Sequence, residues 1–230
     1  HFPDGNASIA RMLVHQLIPD VSHRDTMIDI IRSRFDYTRL DHPNNQVRLR
    51  LNSMVVNVRH NSQKRVHVSY INKGKAIKVR GKKCVLACYN MMIPYLVPTL
   101  PTKQKAALKR QVKMPLVYSN ILLNNWQPLK DLGIASAFCP GHFHQTVIMD
   151  FPMKFPNYQA ILAPDRPMIL TMIATPMGDQ IGLPPTDQYR RGRYQLLSMS
   201  FADYEKEIRN HLQGMLGRGG FKFDRDVASI

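Results

Sequence analysis

The chain has 230 residues, with 32 Lys and Arg against 16 Asp and Glu, a formal charge of +16 and a pI near 10.0. Hydrophobic residues make up 44% and charged residues 21%, which excludes disorder by composition and suits one large domain or two small ones. Cys84, Cys88 and Cys139 are too few for a disulfide framework, in keeping with a reducing interior. The most apolar stretch, 84–98, is too short to span a bilayer and holds Asn90 and two prolines.

The chain opens on His1 without a signal-peptide pattern, the form an internal segment takes. Asn6 is placed to cap a first helix, in which Ile9, Met12, Leu13 and Leu17 recur at helical spacing until Pro19. A second helix is expected after Ser22, with Asp25 in a weak capping-box position and Met27, Ile28, Ile31 and Phe35 as its buried stripe. Residues 36–46 read as loop.

From Val47 the period changes to two. Val47, Leu49 and Leu51 alternate with Arg48 and Arg50, and 54–58, 66–70 and 77–79 continue in strand-forming residues. Residues 72–75, Asn-Lys-Gly-Lys, form a turn in which Gly74 takes positive φ. The expected result is an antiparallel meander, followed by a strand at 84–88 buried on both faces. Cys84 and Cys88 would then lie about 13 Å apart, as small buried hydrophobes that cannot pair.

Prolines 94, 98 and 101 mark a boundary, placing one domain at 1–98 and another at 99–230. A short basic helix over 103–110 comes next. Apolar runs at 115–123, 146–153 and 168–174 are each long enough for a strand, and 176–193 reads as loop. Ser200 with Asp203 opens the clearest helix, turning Phe201, Tyr204, Ile208, Leu212 and Met215 inward, with Glu205 and Arg209 paired and Gly217 as C-cap.

The charge lies in one block. Residues 42–130 contain seventeen Lys and Arg and no Asp or Glu. Such a block attracts polyanions or simply forms a solvated basic surface. Nucleic acid, anionic lipid, a dinucleotide or an acidic partner protein would all fit it; no aromatic-rich nucleic-acid motif occurs, and the binding alternative is a basic module for nucleic acid or an acidic partner.

Single motifs say less. Cys139, His142 and His144, with Asp150 downstream, hold ligand-type atoms at short spacing but match no standard zinc signature. A metal site, a pocket wall and plain structure all stay open for them. Residues 217–220, Gly-Arg-Gly-Gly, lack the Gly-Lys-Ser/Thr of a phosphate loop and follow a helix, and no Gly-x-Gly-x-x-Gly occurs.

The order of segments carries more. The phrases HFPDGNASIARMLV, VLACYNMMIPYLVPTLP, PLVYSNILLNNW and SFADYEKEIRNHLQGMLGRGGF together resemble the flavin-dependent amine oxidase superfamily, closest to its bacterial spermidine dehydrogenase-like branch. The resemblance runs over nearly the whole chain.

It implies an α+β flavoprotein: an FAD domain with an antiparallel meander, and a substrate domain with a mixed sheet backed by helices. It implies FAD as cofactor, with Val55, residues Ala87, Cys88 and Tyr89, and the turn at Asp4, Gly5 and Asn6 on the cofactor side. Exposed N–H groups at turns and helix starts suit phosphates and flavin carbonyls. Tyr118, Asn120, His142 and His144 are the pocket candidates, and no metal is implied. The implied reaction is hydride transfer to flavin from the carbon beside an unprotonated amine, giving an imine that water hydrolyses. Partners are then a small amine and the remaining segments of the same flavoprotein.

Two departures stand against the pattern. The Gly-rich dinucleotide fingerprint and the carboxy-terminal flavin segment are both absent, so an internal fragment unable to hold FAD tightly by itself is expected. Where many relatives place a lysine near the flavin, this chain has Tyr118 and Ser119. Glu205 and Glu207 are its only glutamates, and the basic block would repel a polyamine. A catalytically silent relative is a further alternative, and both cytoplasm and periplasm stay open.

Overall fold

The structure, a computed structural model, describes residues 5–23, 26–61, 63–152, 162–180 and 182–230. It is an α+β protein of helices and two antiparallel sheets, in the class expected. It divides into two compact units, His1–Leu108 and Lys109–Ile230. The division falls within the basic helix, later than the proline-rich stretch.

The first unit begins with α1 (Ala7–Leu17) and α2 (Met27–Arg32). Asn6 precedes α1 with a helical backbone and makes no side-chain cap. On α1, Ile9, Leu13 and Leu17 are exposed, and of the stripe expected to be buried on α2 Met27 is exposed while Ile30 takes the buried place. What anchors the pair is local. Ile18, Val21 and Leu40 form a small core with Val14 and Phe35. Arg11 donates to the carbonyls of Ile30, at 2.8 Å, and Ser33, and its guanidinium lies 4.2 Å from the Phe35 ring centre. The cap of α2 is Thr26, whose hydroxyl accepts from the Asp29 amide at 3.2 Å. Asp25 lies outside the described residues.

Residues 47–51 alternate like a strand yet form none. Arg48 and Arg50 both turn back to Asp41, at 2.6 and 3.0 Å, and the Leu49 amide bonds the Leu40 carbonyl. With no neighbour among the described residues to complete a ladder, the segment bonds to the preceding loop.

The meander itself forms as β1 (Ser53–His60), β2 (Val66–Asn72) and β3 (Lys75–Gly81), in the order β1-β2-β3. Asn72 pairs with Lys75, and Lys73 and Gly74 both have positive φ, 48° and 74°. That is the type I′ hairpin, whose twist matches the strands. Val58, Val66 and Tyr70 are buried, and α3 (Ile93–Leu96) packs against β1. α4 (Thr102–Lys109) is the basic helix.

The doubly buried strand at 84–88 is not there. The segment has no ladder partner, Cys84, Ala87 and Cys88 are exposed, and Val85 is 88% exposed. A continuous apolar run becomes a central strand only with a neighbour on each side, and the described residues supply neither.

The second unit holds β4 (Val117–Leu123), α5 (Gln127–Asp131), β5 (Ser136–Phe138), β6 (Thr146–Asp150), β7 (Met168–Ala174), α6 (Pro185–Ser198), α7 (Phe201–Leu216), α8 (Phe223–Asp226) and β8 (Val227–Ser229). The sheet order is β5-β6-β7-β4-β8, and every pairing is antiparallel, where a mixed sheet was expected. Its inner face, Ile121, Leu123, Val147, Met149, Leu170 and Met172, packs on Ile208, Leu212 and Leu216 of α7. Alternation along each strand sends every second side chain into this core.

α7 starts with the full reciprocal box between Ser200 and Asp203. Phe201, expected inside, is 65% exposed, because its position precedes the first turn that meets the sheet. Arg209 lies 3.6 Å from Glu205 but closer, 2.7 Å, to Asp224. Gly217 is the C-cap of α7, as expected, with a helical backbone, and Gly220, with φ of 81°, is the left-handed stop of the short turn that follows. α6 corrects the loop expected at 176–193: Pro185 starts it at a position suited to proline. Buried Gly192 is a contact point, where an added Cβ would stand 1.9 Å from the Pro176 carbonyl oxygen.

Candidate functional site

The outer face of the large sheet lies open among the described residues. Register places its side chains in three rows. Tyr118, Ile173, Thr146 and Phe138 form the first, and Asn120, Thr171, Ile148 and Ser136 the second. Leu122, Ile169 and Asp150 form the third. Tyr118 is 60% and Phe138 74% exposed, and Leu122, Ile148 and Ile169 are exposed too. Across the middle row, the Thr171 hydroxyl donates to the Asn120 carbonyl oxygen at 3.0 Å. This is an apolar floor with a phenol, an amide, two hydroxyl rows and one carboxylate at fixed positions. A face of this kind suits a flat or alkyl-chain ligand carrying one polar group.

His142 and His144 are not on a strand. They sit in the turn between β5 and β6, bent at Gly141, whose φ is 87°. The Cys139 amide bonds the Gln145 carbonyl at 2.7 Å, which closes the turn. His144 points inward and is fully buried, its Nε2 2.9 Å from Ser119 Oγ. Ser119 faces inward because it alternates with Tyr118 and Asn120 on β4. Burial, and then the neighbouring His211, pull the His144 pKa down to about 4. His211, on α7, is also buried and stacks on His142 with ring centres 4.3 Å apart. Burial, and then His142, bring its pKa to about 4. Both buried imidazoles are therefore neutral at pH 7. Among the described residues, His144 Nδ1 and both ring nitrogens of His211 have no hydrogen-bond partner. Phe143 meets His144 and Tyr204 edge-on.

The structure thus splits the four pocket candidates. Tyr118 and Asn120 share the open sheet face. His144 lies on the opposite, inner side. His142 borders a separate open groove of about 1290 Å³, with Arg190, Arg191 and Tyr194 of α6 on its wall. In that groove Asp187 pairs with Arg190 at 2.8 Å. Cys139 packs against the core, and burial pushes its thiol pKa up, away from a thiolate ligand. Among the described residues no three of His, Cys, Asp and Glu converge as a metal site.

On the cofactor side, Val55 is 36% exposed on β1, just before a bulge between Val55 and Asn57. Ala87, Cys88 and Tyr89 are exposed, outside any helix or strand. Gly5, with φ of 69°, and Asn6 are exposed at the start of α1, while Asp4 lies outside the described residues. Two contributors escape a reading by segment, Ser119 and His211. Ser119 is legible from alternation once Tyr118 is placed outward. His211 is legible only from packing, since nothing in sequence links it to His142 and His144.

No protein-family model matches this chain, and no curated protein matches it. Among solved structures it is similar to a double, a triple and a single mutant of putrescine oxidase, made in a structure-based redesign of cofactor binding. Their identities to this chain are 15%, 16% and 16%, and their TM-scores 0.47, 0.48 and 0.48. The matches cover 72%, 70% and 76% of this chain, which spans only 31%, 30% and 33% of theirs. At these values the likeness is partial and assigns no activity.

Proposed function

We propose that the chain is part of an FAD-dependent oxidoreductase that oxidises the CH–NH bond of an amine. In this reading residues 1–98 contribute to FAD binding and residues 99–230 to substrate binding. The observation that carries it is the open outer face of the large sheet. Tyr118, Asn120 and Thr171 stand on an apolar floor, at the segment whose wording resembles the amine oxidases.

The residues of the first unit fit one side of the cofactor. The start of α1 has no acidic residue in its first turn, which leaves the positive end of the helix dipole uncompensated there for an anion or a carbonyl. Val55, Val85 and Ala87 are apolar and uncovered, as a ring system requires of its support. A glycine-rich pyrophosphate loop is not among the residues present, so the fit covers only part of the group. When bound, FAD supplies the hydride acceptor.

The chain's own contribution is orientation. The floor of Leu122, Ile148 and Ile169 takes the alkyl part of an amine, at about 25 cal/mol per Å² removed from water. Asn120, held by Thr171, and Tyr118 fix the polar end. Asp150, at the far row, is the carboxylate available on this face to a second, charged end. Neutral His144 beneath the sheet adds no positive charge against an ammonium group.

The test is the protein expressed from its full reading frame. A yellow protein that releases flavin on denaturation and bleaches on addition of a primary or secondary amine supports the reading. Asn120→Leu is expected to raise KM more than it lowers kcat. A full-length protein that stays colourless after incubation with FAD overturns it.

A further inference from the structure

The meander carries an arrangement that the oxidoreductase reading does not use. Antiparallel register assigns its side chains to two faces. One face holds Val58, Val66, Val68, Tyr70, Ile77 and Val79, with His60 at one end and Asn72 and Lys75 at the other. On the other, Arg59, His67 and Arg80 stand directly opposite one another in a single row, and Asn57, Ser69 and Lys78 in the next. The three strands themselves carry no carboxylate.

β3 is an edge. Among the described residues it pairs with β2 on one side and with nothing on the other. Both of its faces are unfinished. Lys78 and Arg80, two residues apart, are exposed on the polar side. On the apolar side Ile77 is 38% exposed although its neighbour across β2, Tyr70, is buried. Basic residues on an edge also discourage self-association, but that role leaves the exposed Ile77 unaccounted for.

We propose that the free edge of β3 is a docking site for an extended acidic segment of a partner protein, added as a fourth strand. The occupant's chemistry follows from both faces. Every second residue is Glu or Asp, opposite Lys78 and Arg80, and the residues between are apolar and extend the face at Ile77. Backbone bonds to the open edge supply affinity, and the alternation supplies selectivity. A phosphodiester chain would answer the cations but neither the backbone edge nor Ile77.

The probe is a fluorescently labelled (Val-Glu)4 peptide added to the full chain, with (Val-Lys)4, a composition-matched block peptide and a 20-mer single-stranded oligonucleotide as comparisons. Anisotropy is expected to show binding of the alternating acidic peptide that weakens with salt. K78E/R80E is expected to weaken it by at least about tenfold, and K78Q/R80Q by less. Alternate amides of β3 gain protection from hydrogen exchange when the peptide is bound, a signature that surface charge alone does not give. No binding, binding unaffected by K78Q/R80Q, or binding without protection of β3 overturns the proposal. So does an oligonucleotide that binds more tightly than the peptide, which would assign the cations to a phosphate backbone.

Discussion

Two apolar runs of similar strength meet opposite fates. Residues 168–174 become β7, sandwiched between β6 and β4, with Leu170 and Met172 fully buried. Residues 84–88 form no strand, with Val85 88% exposed. Composition does not separate them. Neighbours do: β7 has a strand on each side and α7 beneath it, whereas 84–88 has none among the described residues. Apolar character states what a segment can bury, and only the surrounding chain decides whether anything is there to bury it against.

The sharpest way to break this contrast is to cut the covered core. Leu212→Ala empties a fully buried site where α7 meets the sheet, and is expected to cost about 2–5 kcal/mol. Trp126, the single tryptophan, packs against that core, so urea unfolding followed by its fluorescence reports the loss directly. If L212A unfolds like the parent, the packing described for the second unit is wrong.

Acid attacks the same core through its two buried imidazoles. The folded pKa values of His144 and His211, about 4, lie below the ordinary 6.5. The unfolded chain therefore binds more protons between those values. Stability is full above about pH 6.5 and falls as pH drops toward 4. Midpoints of Trp126-detected unfolding at pH 7.5, 6, 5 and 4 test the sign, and His211→Gln is expected to shallow the decline.

Backbone clearance comes next. Gly192→Ala forces a Cβ against the Pro176 carbonyl and is expected to destabilise by about 1–3 kcal/mol in the same assay. Ser200→Ala removes the reciprocal cap of α7, with an expected loss of about 1 kcal/mol and lower helicity by circular dichroism. Val85→Ser closes the series. Its side chain touches little, and a change within about 0.5 kcal/mol is expected. A loss of several kcal/mol there would mean that 84–88 is covered after all, and the comparison would fail.

Local signals were the legible ones. Lys73-Gly74 dictates a tight hairpin because both positions need positive φ, and Ser200 with Asp203 dictates a helix start because the bonds are made within four residues. The alternation of Val47, Leu49 and Leu51 misled, since Asp41 captures the intervening arginines at 2.6 and 3.0 Å. The Pro- and Arg-rich stretch misled as well, because Pro185 and Gly192 serve a helix start and a close contact instead of a loop.

What the sequence alone determined is therefore what short-range chemistry controls: the α+β class, the tight turn at 72–75, the caps of α7 and the charge block. Tertiary structure decided which apolar faces are covered, that Tyr118 and Asn120 stand apart from His144, and that His211 joins His142 and Ser119 joins His144. The reason is physical. Turns and caps are closed by bonds within a few residues, while burial and clustering depend on groups distant in the chain, whose encounter no local pattern encodes.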